Sequence, residues 1–215
     1  GATKRFAEMY TQSLNDVAGI RTKFIATRFG NVLGSSGSVI PLFKKQIERG
    51  GPVTVTHPEI TRYFMTIPEA CELVLEAATM GEGGEVFVFD MGESVKIVNL
   101  AKKMITLSGL RVERDIEIKY TGLRPGEKLY EELLNTDENT LPTHHPKILI
   151  AKVNAPSYAF METQMQAICQ LLSAGDNNNL VSKIKEVIPE YISNNSEFEK
   201  LDLKAVSMKR SQSAK

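Results

Sequence analysis

The sequence lacks an excess of charge of either sign and contains little cysteine. Its 26 basic and 26 acidic side chains balance, which argues against a dedicated nucleic-acid-binding protein, since such proteins carry a marked basic excess. Two distant cysteines, Cys71 and Cys169, cannot make a disulfide framework and indicate a reducing compartment, although they leave a single bridge open. No apolar run approaches the roughly 20 residues that span a bilayer, and the N-terminus has no signal-peptide pattern. We therefore expect a soluble, globular chain.

Helical and β-strand patterns alternate along most of the 215 residues, which predicts an α/β fold with a partly parallel sheet. This length suits one large domain or part of a two-lobed one. Beyond Ser193 the chain is polar and lacks a sustained apolar period, which predicts that most of this segment is disordered. The predicted helices cover 2–17, 39–49, 68–80, 97–108, 127–134, 157–174 and 180–188, and the predicted strands cover 23–29, 53–56, 62–67, 85–89, 115–120 and 147–153.

The first candidate site is the loop Gly30–Ser38, which joins a predicted strand to a predicted helix. Small residues let backbone N–H groups approach an anion at a helix N-terminus, so the loop is suited to binding phosphate. Its glycine spacing matches neither the dinucleotide-binding fingerprint nor a P-loop. Glu59, after the next predicted strand, weakly resembles the ribose-binding acid of a dinucleotide fold. A flexible turn with Ser38 as the N-cap explains the same residues, so the pattern leaves both interpretations open.

Two arginines are further candidates for binding an anion. Arg124 lies in the segment Leu123–Lys128, where a Pro-Gly turn makes the backbone stiff enough for bidentate pairing with phosphate. Arg62 lies beside two aromatic residues just before a predicted helix. The alternatives are a solvated turn for the first and a surface strand arginine for the second. The three histidines show no metal-ligand spacing with cysteine or acidic partners, so we predict no metal site.

Four segments occur in an order and at separations that indicate a family. They are Gly1–Glu8, Arg28–Ser35, Arg62–Thr66 and Leu123–Lys128. Together they closely resemble the polysaccharide-biosynthesis nucleotide-sugar dehydratases of the extended short-chain dehydrogenase/reductase family. These are the CapD-like bacterial enzymes that act on UDP-N-acetylglucosamine in capsule, O-antigen or glycan synthesis. The resemblance spans residues 1–153, and the ordered set is highly specific although each segment alone is not.

The resemblance implies a lyase that uses bound NAD. In such enzymes NAD takes hydride from sugar C4, water is eliminated across C5–C6, and hydride returns to C6 to leave a 4-keto-6-deoxy sugar. Lys4 matches the lysine that holds the nicotinamide ribose and lowers the pKa of the catalytic base through its positive charge. The resemblance therefore implies a catalytic and cofactor-binding role for Lys4, and it places Gly30 under the nicotinamide. The base itself, Tyr or Met in the family, would precede Gly1.

The resemblance also implies contacts with a UDP-sugar substrate. Arg62 and Arg124 would bind the pyrophosphate, and Glu127 would meet the uridine ribose. Asn31 would contact the substrate phosphate or the sugar. The remaining implied contacts are Ser35, Ser38 and Val39 around the diphosphate, with Thr54 and Thr56 beside the uracil.

The resemblance divides the chain into three parts. Residues 1–153 would be the C-terminal part of a dehydratase, with the end of a Rossmann-type sheet and a small substrate-binding lobe. Residues 154–192 would be a helical extension, and residues 193–215 the disordered tail. The NAD-binding loop and the dehydratase acid/base pair would lie upstream, so we expect this chain to be inactive alone. A C5-inverting dehydratase, a 4-epimerase and a non-catalytic nucleotide-sugar-binding module remain alternatives.

The resemblance bears on location and assembly as well. It implies a cytoplasmic domain without direct membrane contact, and it leaves open an inner-membrane anchor in the parent protein. The parent would be a homo-oligomer if the lysine-bearing helix packs against its mate, as it often does in this family. Four residues either supply that face or pack on the sheet: Phe6, Met9, Tyr10 and Leu14.

Overall fold

The computed structural model describes residues 1–131, 139–153 and 155–202. The α-helices are α1 (Ala2–Ser13), α2 (Val39–Glu48), α3 (Ile67–Met80), α4 (Ile97–Leu107), α5 (Tyr158–Ser173) and α6 (Asn177–Val187). The strands are β1 (Ala26–Arg28), β2 (Asn31–Val32), β3 (Val53–Val55), β4 (Thr61–Arg62), β5 (Phe64–Met65), β6 (Val86–Phe89), β7 (Val95–Lys96), β8 (Ile118–Tyr120), β9 (Asn139–Pro142) and β10 (Ile148–Lys152).

The main sheet has the strand order β1-β6-β10-β9. Strand β1 runs parallel to β6, and the other two pairs are antiparallel. Every residue of β6 is buried, because both faces of the sheet are covered. Phe87 and Phe89 pack with the buried side of α3, whereas Val86 and Val88 line the opposite face, on which α1 lies against β1. This arrangement confirms the predicted α/β class with a partly parallel sheet.

A smaller lobe has its own core, formed by α2, α4 and the parallel pair β3–β8. Helix α2 buries Phe43 and Ile47, four residues apart, and α4 buries Ala101 and Ile105 at the same spacing, as expected for one apolar helix face. Two further short pairs are β2–β5 and β4–β7. Strand β5 joins the two cores, because Phe64 packs against the small lobe and Met65 is buried with the main sheet. Because β2 pairs with β5, the Gly/Ser loop lies next to the segment that carries Arg62.

The predicted helix over 127–134 is wrong in its described part, residues 127–131, which form no helix. The backbone groups of this segment are bound by the lobe instead: the Leu129 carbonyl accepts a hydrogen bond from Thr61 N (3.2 Å). The Glu127 carboxylate accepts one from the backbone N–H of Arg124 (2.9 Å). These contacts with a neighbouring strand and turn favour an extended path over a helix. Residues 132–134 of the predicted helix lie outside the described part of the chain.

Strand β9 lies outside all of the predicted helices and strands. Its residues are polar or exposed for the most part, so no alternating apolar pattern marks it. It forms because β10 offers an open edge, along which four residue pairs from Leu149–Pro142 to Lys152–Asn139 are in register. Strand β9 is an edge strand, and Pro142 stands at its end, a position where the sheet tolerates a missing N–H.

The C-terminal extension packs on the apolar face of α1. Phe6 is buried with Met161 of α5 and with Val187 and Ile188 at the end of α6. At the rim, the Tyr10 hydroxyl donates to Glu162 Oε2 (2.7 Å). This bond raises the pKa of Tyr10 above its ordinary value and lowers the pKa of Glu162. Three of the four residues that the sequence offers to a dimer partner or to the sheet, Phe6, Met9 and Tyr10, therefore pack against the chain's own extension.

Residues 193–202, the first part of the segment that is predicted to be mostly disordered, make defined contacts. Ser193 is buried, its backbone N–H donates to Asp202 Oδ2 (3.0 Å), and Asp202 also forms an ion pair with Lys185 of α6. The rest of the predicted tail, residues 203–215, lies outside the described residues.

Cys71 and Cys169 are both free and exposed. Within the described ranges, none of the helices is long and apolar enough to cross a bilayer.

Candidate functional site

Glu127 is the centre of a polar cluster on the small lobe. Its Oε1 accepts a hydrogen bond from the Thr56 hydroxyl (3.2 Å) and lies 3.6 Å from Arg62 Nη2. Its Oε2 accepts the backbone N–H of Arg124 (2.9 Å). The structure thus brings together four residues that the sequence predicts as substrate ligands. Arg124 joins the cluster through its backbone, and its side chain is exposed.

The Arg62 guanidinium is almost fully occupied by groups of the same chain. Nη1 donates to the carbonyls of Thr61 (2.7 Å) and Leu129 (3.4 Å). Nε lies 3.3 Å from Glu131 Oε1, and the Arg62 side chain is only 11% exposed. Glu131 is the residue of this cluster that sequence reasoning misses. The sequence offers one indication of its role, which is its position four residues after Glu127. On a helix, that spacing would indicate only a second acidic residue exposed to solvent.

Gly30 and Asn31 lie beside the segment that carries Arg62. Asn31 N donates to the Tyr63 carbonyl (2.9 Å), and β2 pairs in parallel with β5. A Cβ at residue 30 would lie 2.7 Å from Tyr63 Cβ and 3.2 Å from Met91 Cε. Glycine is therefore required here by packing against the chain itself. The Asn31 side chain is exposed next to this contact.

The other predicted diphosphate contacts surround the N-terminus of α2. The Ser35 hydroxyl donates to the Val32 carbonyl (2.9 Å), and Gly34 and Gly37 adopt left-handed backbone angles (φ 75° and 74°) that favour glycine. Ser38 holds the N-cap position, but its hydroxyl makes no capping bond. That hydroxyl is buried without a hydrogen-bond partner in the part of the chain that the structure describes.

Two predicted contacts have clear structural partners. Val39 packs against the core of the small lobe. Thr54 is bound by Gln46 of α2, which donates from Nε2 to the Thr54 hydroxyl (2.7 Å) and accepts the Thr54 N–H at Oε1 (3.1 Å). Glu59 lies on the surface and pairs with Lys96 (2.6 Å), a contact that lowers the pKa of Glu59. Val39 and Thr54 thus join α2 to the lobe core and to β3.

Replacing the N-cap residue by alanine should affect stability differently at Thr66, the N-cap of α3, and at Ser38, the N-cap of α2. Thr66 caps α3 through a reciprocal capping box with Glu69, so Thr66→Ala should lower the free energy of unfolding by about 1 kcal/mol. Ser38→Ala removes a buried hydroxyl without a partner and should change that free energy by less than about 0.5 kcal/mol. Urea denaturation measures both. An equal loss for Ser38→Ala would show that its hydroxyl caps α2 in solution.

Lys4 lies apart from this cluster, exposed in the first turn of α1. Helix α1 is fixed to the end of β1 by Glu8, whose two carboxylate oxygens accept from Arg28 Nε (2.6 Å) and Nη2 (2.7 Å). Because Arg28 is two residues before Gly30, this ion pair connects the lysine-bearing helix to the start of the Gly/Ser loop.

No group of three or more His, Cys, Asp or Glu side chains among residues 1–131, 139–153 and 155–202 could hold a metal ion.

The fold and the cluster first define a class: an α/β protein whose small lobe holds an arginine between carboxylates beside a Gly/Ser loop. The chain belongs to the polysaccharide biosynthesis protein family, whose model matches residues 1–153. It is 65% identical over 154 residues to the capsular polysaccharide biosynthesis protein CapD of Staphylococcus aureus, covering 72% of this chain and 25% of that protein. These findings confirm the family that the four sequence segments indicate.

Two more distant relatives extend the comparison. The chain is 35% identical over 143 residues to a UDP-N-acetylglucosamine 4,6-dehydratase (inverting) of Campylobacter jejuni, covering 66% of this chain and 40% of that protein. The crystal structure of Pen from Bacillus thuringiensis matches with a TM-score of 0.61 and 37% identity, over 73% of this chain and 47% of that one. The chain therefore spans from a quarter to less than half of the length of these relatives.

Proposed function

We propose that this chain is the substrate-binding part of an NAD-dependent UDP-N-acetylglucosamine 4,6-dehydratase of polysaccharide biosynthesis. The observation that carries the proposal is the cluster around Glu127, whose carboxylate contacts the Thr56 hydroxyl, the Arg62 guanidinium and the backbone N–H of Arg124. A nucleoside diphosphate needs this combination, because its phosphates pair with guanidinium groups and its ribose hydroxyls donate to a carboxylate. The similarity to the dehydratase of Campylobacter jejuni supports the same substrate class.

The proposed roles follow from the chemistry of each group. Arg124, exposed on a Pro-Gly turn, pairs with the pyrophosphate together with Arg62, while Glu127 accepts from the ribose. The Ser38 hydroxyl and the first N–H groups of α2 donate to phosphate oxygens, since a helix N-terminus favours an anion. Thr56 would lie beside the uracil, and Asn31 would contact the substrate phosphate or the sugar.

NAD would be held by residues of this chain and by others outside it. Lys4 fits the cofactor, because its ammonium is exposed on α1 and can donate to the nicotinamide ribose hydroxyls. Gly30 fits less directly, since its missing side chain is already explained by contact with Tyr63. When bound, NAD would accept hydride from the sugar and return it. We expect no conversion of UDP-N-acetylglucosamine by this chain alone, and a chromatographic assay that detects product would contradict that expectation.

Arg124→Ala should weaken the binding of UDP by about tenfold or more, because a charge-assisted hydrogen bond contributes roughly 1.5–3 kcal/mol. The substitution should leave the fold unchanged, since the side chain is exposed. Isothermal titration calorimetry measures the affinity. The matched control is Arg114→Ala, an exposed arginine on the loop before β8, which should leave UDP affinity unchanged. If the wild type and Arg124→Ala bind UDP with equal affinity, Arg124 does not contact the ligand.

A C5-inverting dehydratase is the second candidate. The observation in its favour is the similarity to the Campylobacter jejuni enzyme whose name specifies inversion. The two reactions share the nucleotide and differ at sugar C5. Deuterium incorporation at C5, followed by NMR on the product of a full-length relative carrying this segment, distinguishes them by the configuration at that carbon.

A further inference from the structure

Glu131 is an acidic residue that contacts the centre of the proposed anion site. We propose that Glu131 is a competing carboxylate: it holds Arg62 in the free protein, and the ligand's diphosphate displaces it. Glu131 would then set the affinity for the charged part of the ligand without contacting the nucleoside. This inference rests on the proposed function, because it assigns Arg62 to a diphosphate.

The hydrogen-bonding capacity of Arg62 shows why a displacement is needed. A guanidinium has five N–H donors. Nη1 donates to the carbonyls of Thr61 and Leu129, whereas Nε lies 3.3 Å from Glu131 Oε1 and Nη2 lies 3.6 Å from Glu127 Oε1. Bidentate pairing with a phosphate uses two parallel N–H groups. A diphosphate that pairs with Nε and Nη2 as a fork therefore meets a carboxylate at each nitrogen, and one of the two has to leave.

Glu131 is the carboxylate that leaves at lower cost. Glu127 is tied by Thr56, by the Arg124 backbone and by Arg62, and its side chain is 19% exposed. The Glu131 side chain is 43% exposed, and its contact in the described part of the chain is the ion pair with Arg62. Water can solvate the released Glu131 carboxylate at once, whereas release of Glu127 would leave two donors without an acceptor.

The effect of Glu131 should depend on the charge of the ligand. With both carboxylates in place, the single positive charge of Arg62 is exceeded by two negative charges, and an approaching diphosphate meets repulsion. Uridine carries no charge and does not need Arg62. Because the Arg62–Glu131 pair is partly exposed, solvent screens it, so removal of the carboxylate charge should change affinity by roughly three- to tenfold rather than by orders of magnitude.

The test is calorimetric titration of the full chain with UDP, uridine and inorganic pyrophosphate. Glu131→Gln keeps the shape of the side chain and removes its charge. We expect it to bind UDP and pyrophosphate roughly three- to tenfold more tightly than the wild type and to bind uridine equally well. The matched control is Glu117→Gln, an exposed acid paired with Lys119, which should leave all three affinities unchanged. If Glu131 had only a structural role, Glu131→Gln would change the affinity for uridine as well.

The three probes separate this inference from the proposed function. Unchanged or weaker binding of UDP and pyrophosphate to Glu131→Gln would overturn the role of Glu131, even if the wild type binds UDP. Equal tightening for uridine would overturn it too, because the effect would not act through Arg62. In a further outcome, UDP binds to the protein no more tightly than pyrophosphate does, while Glu131→Gln still increases the affinity for pyrophosphate. That result would support Glu131 as a competing carboxylate and would contradict the assignment of a nucleotide as the ligand. If neither protein binds any of the three probes, both the proposed function and the role of Glu131 are contradicted.

Discussion

Gly30→Ala is expected to lower the free energy of unfolding by about 3 kcal/mol. The new Cβ would lie 2.7 Å from Tyr63 Cβ and 2.9 Å from the Tyr63 carbonyl oxygen. That carbonyl accepts the Asn31 N–H at 2.9 Å, so it cannot move aside without breaking the start of the β2–β5 pair. The methyl group therefore forces apart the two segments that bring the Gly/Ser loop to Arg62. Urea denaturation monitored by circular dichroism gives the loss.

Gly81→Ala is the matched control for this prediction. A Cβ at residue 81 would also lie 2.7 Å from a neighbouring atom, but that atom is Cγ2 of the Ile25 side chain. A side-chain methyl can rotate or shift, whereas a carbonyl in a β-pair cannot. Neither glycine has a left-handed backbone, so the comparison isolates the steric term. We expect a loss below about 1 kcal/mol for Gly81→Ala, and an equal loss for both variants would contradict the assigned role of the Tyr63 backbone.

The parts of the fold with strong periodic patterns could be predicted from the sequence, and the weakly patterned parts could not. Helix α4 was marked by apolar residues on one face and ended near the predicted residue 108. Strand β9 carried no such pattern, because an edge strand forms through its neighbour's open hydrogen-bonding groups and not through its own apolar side chains. The segment 127–131 had helical composition, yet its hydrogen bonds go to β4 and to the turn at residues 124–127. The bond between Leu129 and Thr61 of β4 joins residues far apart in the sequence, so a local pattern cannot reveal it.

The candidate site shows the same division. Thr56 and Glu127 are 71 residues apart in the sequence, and no spacing rule would join them. Their predicted proximity came from the resemblance to a family, and the structure shows the contact. Glu131 was missed because a helix over 127–134 would have turned it to solvent beside Glu127. Within the described residues 127–131, which form no helix, both carboxylates reach Arg62 from one loop.

Arg62→Ala should weaken the binding of UDP by more than about a hundredfold. The substitution removes a charge-assisted contact of roughly 1.5–3 kcal/mol. It also leaves Glu127 and Glu131 without their shared cation, so that two carboxylates face the incoming diphosphate. The loss should therefore exceed that of Arg124→Ala, which removes a cation without exposing an acid. Calorimetry with UDP and with uridine measures the effect, and uridine should still bind.

A double variant and a matched control show whether the loss arises in this way. Arg62→Ala combined with Glu131→Gln removes one of the two repelling charges, so it should recover part of the lost UDP affinity, but less than the roughly three- to tenfold gain that Glu131→Gln gives when Arg62 is present. Arg111→Ala is the control, because Arg111 also pairs bidentately with a carboxylate, that of Asp115 (2.8 and 2.9 Å), but at the surface away from the cluster. It should leave UDP affinity unchanged. If Arg62→Ala keeps UDP affinity within tenfold of the wild type, then Arg62 only braces the loop of residues 127–131 and the diphosphate binds elsewhere.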